Sequence, residues 1–349
     1  MNIIAIILMF GVIVFVHEFG HFLFARLCKV KVNEFAIGMG PAIAKWERKG
    51  TQYSLRALPI GGYCMMEGDI EDSDNPDAFN NKGIIQRLSV LFAGPFFNFV
   101  LAFLLSIIIC HFYYIDPPTI SQVIEGSAAE EAGLEAGDTI VKLNHTNIRT
   151  FREITLFRMT HDAEEPIAVV YERNGEEYET TVQLKYDEES DSYMFGIYCY
   201  SRAPESFVEE LEYSVYEVRL QIISTVCSLK MLVTGQASKD DLMGPVGIGS
   251  MMSDVIDEAK EEASETGNAL IVLLNIINFT VLISANVGVM NLLPIPALDG
   301  GRILFVLIEG IAGRPIPRDK EMIVNAIGFV LLMVLMVFVF FNDLGNVFG

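Results

Sequence analysis

His17, Glu18 and His21 make an H-E-x-x-H pattern inside the apolar run Ile3 to Leu27, IIAIILMFGVIVFVHEFGHFLFARL. On a helix, imidazoles at i and i+4 leave one face and can grip a single metal ion. Glu18 falls on the adjoining face, where a carboxylate can reach water at that ion. This is the zinc-protease pattern, with the glutamate as general base. The run is also long enough, at about 1.5 Å per residue, to cross a hydrocarbon core of about 30 Å. Ionisable groups at that depth are costly, so a purely structural role would leave these polar side chains unaccounted for. A catalytic zinc takes three protein ligands and keeps one position for water. The third should be a carboxylate or histidine at matching depth, and Asp299 in NLLPIPALDGGRILFVLIEG stands there, near the inner end of a later apolar run. Pro294 and Pro296 interrupt the helix, and Gly300-Gly301 admits close backbone approach. Asp299 could instead cap a short helix over Arg302–Glu309. Beside a membrane H-E-x-x-H the ligand role is preferred.

Four apolar runs are needed to position these groups: TM1 within residues 1–28, TM2 within 87–115, TM3 within 269–293 and TM4 within 322–342. Hydrophobic residues make up 52% of the 349 and mean hydropathy is +0.40. Such values exclude an ordinary soluble domain and fit a polytopic helical membrane protein. The first run lacks the cleavage features of a signal peptide and reads as a retained anchor. The five cysteines are scattered, giving neither a disulfide framework nor a cysteine zinc site. Acidic residues crowd the middle of the chain: Asp116 to Asn268 carries nearly all of the formal −21. Basic residues such as Arg26, Lys29, Lys31, Lys45, Lys82, Arg87, Arg302, Arg314, Arg318 and Lys320 flank the runs instead. By the positive-inside rule these flanks are cytoplasmic and the acidic middle is outside. The acidity argues against a nucleic-acid partner.

Residues 29–86 are expected to hold a β-hairpin, Ala42–Trp46 with Tyr53–Ala57, punctuated by Gly38, Gly40, Pro41, Pro59, Gly61 and Gly62. It is either a cytoplasmic loop or irregular backbone re-entering the membrane beside a cavity. Glu67 to Asn81 reads as a mobile polar connector. In TM2, Ala93-Gly94-Pro95 suits close helix contact, and Asn98 reads as a packing residue ahead of an active-site one. Residues 116–203 alternate short β runs with a helix over Thr150–Thr160 and a short one at Ala128–Ala132. Residues 204–268 are expected to be amphipathic helices on the outer surface, Glu212–Gly235 being interrupted by Glu217, Arg219 and Lys230.

H17-E-F-G-H21 together with N291-L-L-P-I-P-A-L-D299-G-G resembles the site-2 protease family of intramembrane zinc metalloproteases, of the bacterial regulator of sigma-E protease type. The stretch SAAEEAGLEAGDTIVKLN resembles the PDZ domains of bacterial proteases, and the chain has room for one such domain. The resemblance implies one zinc held by His17, His21 and Asp299, with Glu18 as base. It also implies that Asn291, Pro294 and Pro296, with Gly61, Gly62 and Tyr63 of the hairpin, hold the substrate backbone. Implied substrates are single-span membrane proteins, trimmed anti-sigma factors or remnant signal peptides, in a bacterial cell membrane with the PDZ domain extracytoplasmic. An extended peptide could join the PDZ sheet edge. Two other functions compete. A catalytically silent PDZ scaffold has no use for Glu18, and a metal transporter would need ligands along the other runs, where none stand.

Overall fold

The computed structural model describes residues 2–69, 71–188, 191–235 and 243–348. In chain order the elements are α1 (Asn2–Leu27), β1 (Val32–Arg48), β2 (Thr51–Met66), α2 (Ile84–Phe112), β3 (Ile120–Val123), α3 (Ala128–Glu131), β4 (Thr139–Leu143), β5 (Thr146–Asn147), α4 (Phe151–Thr160) and β6 (Ile167–Arg173). There follow β7 (Glu176–Val182), β8 (Lys185–Asp187), β9 (Ser192–Met194), β10 (Ile197–Cys199), α5 (Phe207–Val233), α6 (Pro245–Thr266), α7 (Leu270–Leu292), α8 (Asp299–Ala312) and α9 (Arg318–Phe348). Helices α1, α2, α7 and α9 are the ones, among the described residues, long and apolar enough to cross a membrane. The chain divides into two compact units, Met1–Leu105 with Ser228–Gly349, and Ser106–Cys227.

In the first unit, glycines set how closely the helices meet. A methyl at Gly20 of α1 would stand 2.4 Å from the Ala93 carbonyl of α2, and one at Gly288 of α7 would stand 2.9 Å from Phe99 of α2. Small residues are what let membrane helices approach this far. The expected two-strand hairpin is a larger object. Residues 34–37 of β1 face 62–65 of β2 on one side and 52–55 on the other. The sheet therefore doubles back, and Gly38, Gly40 and Gly61, all at positive φ, lie at its bends instead of bounding it. Glycine is tolerated there because it lacks the Cβ that penalises positive φ.

The connector after the hairpin, expected to be mobile, makes its own bonds to the fold; Ile70 alone within it lies outside the described residues. The Glu67 carboxylate meets Lys31 Nζ at 2.6 Å, Ser73 Oγ at 2.8 Å and Asn75 Nδ2 at 3.1 Å. Phe79 is buried in a cluster with Val32, Met66, Val90 and Val306. Asp69 pairs with Arg302 of α8, which ties the connector to that helix. Hydrogen bonding to Lys31, first of all, holds the Glu67 carboxyl down at about 2 from an ordinary 4.5. A depressed carboxyl contributes order above its unfolded value and loses it as pH falls through the folded one. Acidification from about 5 to 2 should thus loosen the connector. Lys31→Met should raise the Glu67 titration midpoint, read from its carboxyl 13C shift.

Helix α6 packs on α1 and α7. Its buried Met252 and Ile256 share a cluster with Met9 and Ile13 of α1 and with Phe279 and Ile283 of α7. Asp343 of α9, 2% exposed, accepts hydrogen bonds from the amides of Gly244, Val246 and Gly247 at 2.9, 3.0 and 2.8 Å. A carboxylate at a helix N-terminus satisfies orphan donors and complements the dipole. Asn2 Nδ2 reaches Ser253 Oγ at 2.8 Å and Asp257 at 3.0 Å on the same helix. Leu242 and the start of the acidic tract, Asp240-Asp241, lie outside the described residues.

In the second unit the strands follow the expected pattern closely. They form a sheet ordered β5-β4-β6-β7 and the two-stranded pairs β10-β3 and β8-β9, around a core that includes Ile120, Ile140, Leu143, Ile154 and Val169. Thr150 caps α4 by accepting from the Glu153 amide, and Ser127 does the same for α3. Two crossed ion pairs join α4 to α5: Arg152 with Glu217 and Glu153 with Arg219. Both glutamates are buried, and the pairs account for two of the polar residues in α5, Glu217 and Arg219.

Candidate metal centre and active site

Helices α1 and α2 and the loop between α7 and α8 bring the site together. On α2, Val90, Gly94 and Asn98 recur every four residues and so share a face, the one turned to His17 and His21. The Val90 carbonyl accepts from His21 Nδ1 at 2.8 Å. Asn98, fully buried, lies 3.2 Å from His17 Nδ1. Gly94 leaves room for both rings: a methyl there would stand 2.3 Å from His21 Nε2 and 2.9 Å from His17 Cε1. With each Nδ1 engaged, both Nε2 atoms are left for Asp299.

Asp299 arrives by a tight reversal after α7. The chain leaves helical geometry at Leu293, Ala297 takes a positive φ of 74°, and the backbone folds onto Gly300, where a methyl would lie 2.1 Å from the Leu293 carbonyl oxygen. Asp299 opens α8, but the capping position is Leu298, with no side-chain cap bond. The Asp299 carboxylate is thus not spent on the helix. Its Oδ2 lies 3.1 Å from His17 Nε2 and 3.3 Å from His21 Nε2, and the two Nε2 atoms are 3.2 Å apart. Zinc at about 2.0–2.1 Å from tetrahedral ligands separates them by about 3.3 Å. Asp299 Oδ2 is buried with no hydrogen-bond partner. Two imidazole nitrogens converging with an orphaned carboxylate oxygen make three donors that fit a zinc ion and leave its fourth position open.

Glu18 follows His17 in the chain and interacts electrostatically with both imidazoles and Asp299. It lies against β2, where a methyl at Gly62 would come within 3.5 Å of its Cγ. The other residues expected to hold substrate are spread more widely. Gly61 packs on Met39. The Tyr63 hydroxyl meets Arg56, which itself pairs with Glu34 at 2.8 Å, so this side chain serves the sheet's own polar network. Pro294 is exposed and Asn291 half-buried. Pro296 lies against Gly328 of α9, and the Ala297 amide donates to Asn325 Oδ1 at 3.2 Å. With Ile295, Val324, Ile327 and Leu331, Pro296 lines an apolar groove of about 230 Å³.

The sequence understated Asn98 as packing. A lone amide one helical turn after Gly94 was the available signal. A metal-bound imidazole donates its far N–H, so Asn98 Oδ1 is the end suited to face His17 Nδ1. Asn98→Ala should weaken metal affinity about 10- to 100-fold, measured by competition with a chromogenic chelator, while helix content stays unchanged.

Comparison with known proteins points to a zinc metalloprotease. The family model described as Peptidase family M50 matches residues 5–335. A protein of Clostridium acetobutylicum with a provisional zinc metalloprotease name is 42% identical over 98% of this chain and 97% of its own length. Zinc metalloprotease RasP of Shouchella clausii is 32% identical with both chains covered completely, and RasP of Bacillus licheniformis is 31% identical over 99% of each. Among solved structures, the PDZ domain of an SdrC-like protein of Listeria monocytogenes aligns with 24% of this chain and 87% of its own at 15% identity and TM-score 0.22. The chain belongs to peptidase family M50, the site-2 protease family, and is a membrane zinc metalloprotease.

Proposed function

We propose that this chain is an intramembrane endopeptidase that cuts the transmembrane segments of single-span proteins, trimmed anti-sigma factors or remnant signal peptides. One observation carries the reading: His17 and His21, in a helix of membrane-spanning length, converge with Asp299 at the start of α8, beside Glu18. A bacterial cell membrane, with the PDZ unit extracytoplasmic, suits the uneven charge of the chain.

Zinc, when held by His17, His21 and Asp299, polarises the scissile carbonyl and acidifies water at the centre. The chain's own residues do the rest. Val90 and Asn98 fix the imidazole orientations from behind. Glu18 takes the proton from the attacking water on its carboxylate and returns it to the leaving amine. An intact substrate helix hides its carbonyls in i to i−4 bonds, so the cut segment must unwind. A sheet edge at Gly61-Gly62 and the Asn291 amide would satisfy the freed backbone groups. Pro294 and Pro296 keep the facing segment from closing into helix.

The test is zinc content together with cleavage of a tagged single-span substrate in detergent, comparing wild type with Glu18→Gln. The expected result is about one zinc in each protein and cutting by wild type alone. Cleavage by Glu18→Gln at the wild-type rate would remove the base assignment.

A further inference from the structure

The β1–β2 sheet carries a charge pattern that the metal centre leaves unused, and contacts along α1 give that pattern a depth. Met66 pairs with Val32, just beyond the end of α1. Gly62 lies beside Val14 and Glu18, and the Pro59 carbonyl lies 2.8 Å from where a methyl at Gly11 would stand. Gly11 is about 24 Å along the helix axis from Leu27, at about 1.5 Å per residue. The bends of the sheet therefore reach far into the span. Its Lys49-Gly50 turn returns to the level of Val32, whose carbonyl accepts from Thr51 Oγ1 at 2.8 Å.

Exposure follows this gradient. Towards the deep bends the exposed side chains are apolar, namely Met39, Ile43 and Leu58, and the charged pair there, Arg56 with Glu34, is internally matched. At the shallow turn, Lys45, Arg48 and Lys49 are all exposed. They surround Trp46, which is 51% exposed and stacked on Tyr53 at 5.8 Å. Glu47 is the one acid among them, so this tip is basic in a chain of formal charge −21. None of the three cations joins an ion pair among the described residues. Indole rings favour the headgroup level of a bilayer, and unpaired lysine and arginine there attract anionic lipid.

We propose that Lys45, Trp46, Arg48 and Lys49 form an interfacial anchor that binds the headgroups of anionic phospholipid at the leaflet where α1 ends. Trp46 seats the sheet at the interface, and the three cations select the lipid. The re-entrant sheet beside Glu18 is then held at its depth by the bilayer as well as by α1.

Trp46 is the only tryptophan in the chain, so its fluorescence reports on the tip directly. Full-length protein would be reconstituted into vesicles of equimolar phosphatidylcholine and phosphatidylglycerol, with one lipid or the other dibrominated. Brominated phosphatidylglycerol should quench Trp46 about twofold more than brominated phosphatidylcholine, and raised salt should narrow the difference. Lys45→Gln, Arg48→Gln and Lys49→Gln together should abolish the preference while Trp46 stays quenched and zinc content stays at the wild-type level. Equal quenching by the two lipids, or a preference that survives the triple substitution, would overturn the proposal. So would water-like, unquenched Trp46 emission. If the triple variant altered cleavage in pure phosphatidylcholine, the charges would belong to a protein substrate and the lipid assignment would be wrong.

Discussion

Gly94→Ala should strip the protein of zinc and of activity without unfolding it. The added methyl would stand 2.3 Å from His21 Nε2 and 2.6 Å from its Cε1, closer than carbon and nitrogen can come without displacement. Neither ring can retreat in place, because His21 is tied to the Val90 carbonyl and His17 faces Asn98. Overpacking of this kind costs about 1–3 kcal/mol, which a bundle of this size survives. The damage falls instead on the donor geometry that a metal requires. The expected loss of zinc affinity exceeds the about 100-fold that loss of an outer hydrogen-bond partner brings. Gly249→Ala is the matched control, since Gly249 sits within α6 with nothing within 4 Å of the added methyl; it should keep full zinc and gain slightly in stability. Metal analysis and thermal unfolding of both purified variants would decide the matter. Full zinc in Gly94→Ala would mean that the rings are not confined as described.

Asp299→Asn should bring a comparable loss by a different route. The substitution preserves shape and helix position but removes the negative charge on which both Nε2 atoms converge. A neutral amide is a poor zinc ligand beside two imidazoles, so both metal retention and cleavage should fall by more than about 100-fold. If Asp299 served only the start of α8, Asn would be as good a cap as Asp, and zinc would be unchanged. The two roles therefore part cleanly on one metal analysis.

Local patterns in the sequence carried much of this structure. H-E-x-x-H has a helical spacing, and a carboxylate amid an apolar stretch has few tolerable uses, so His17, His21 and Asp299 could be grouped although they lie far apart in the chain. Helices α1, α2 and α7 stand out as long apolar runs, and the strands of the second unit obey a period that a short window reveals. What stayed hidden depends on pairing across the sequence. The doubling of β1 between two stretches of β2 rests on bends at Gly38 and Gly61, whose positive φ a reader sees only as punctuation. The Glu67–Asn81 connector looks mobile because it is polar, yet its polar groups bond chiefly to one another and to Lys31. Arg302 and Arg87 count as cytoplasmic charges, although Asp69 and Glu309 neutralise them. Asn98 looks like packing until the ring behind which it stands is known.

Helix α6 is fastened from near both ends of the sequence, by Asn2 and by Asp343. The second fastening has a bearing on how the protein is made. The amides of Gly244, Val246 and Gly247 enter the ribosomal tunnel and leave it long before the carboxylate that will receive them, which lies 99 residues beyond Gly244. During that interval the start of α6 is an open set of donors, satisfied only by water or lipid headgroups. Insertion of α1, α2 and α7 thus precedes the latch, which only α9 can close. A chain cut short before Asp343 would leave the amides at the start of α6 without their protein partner.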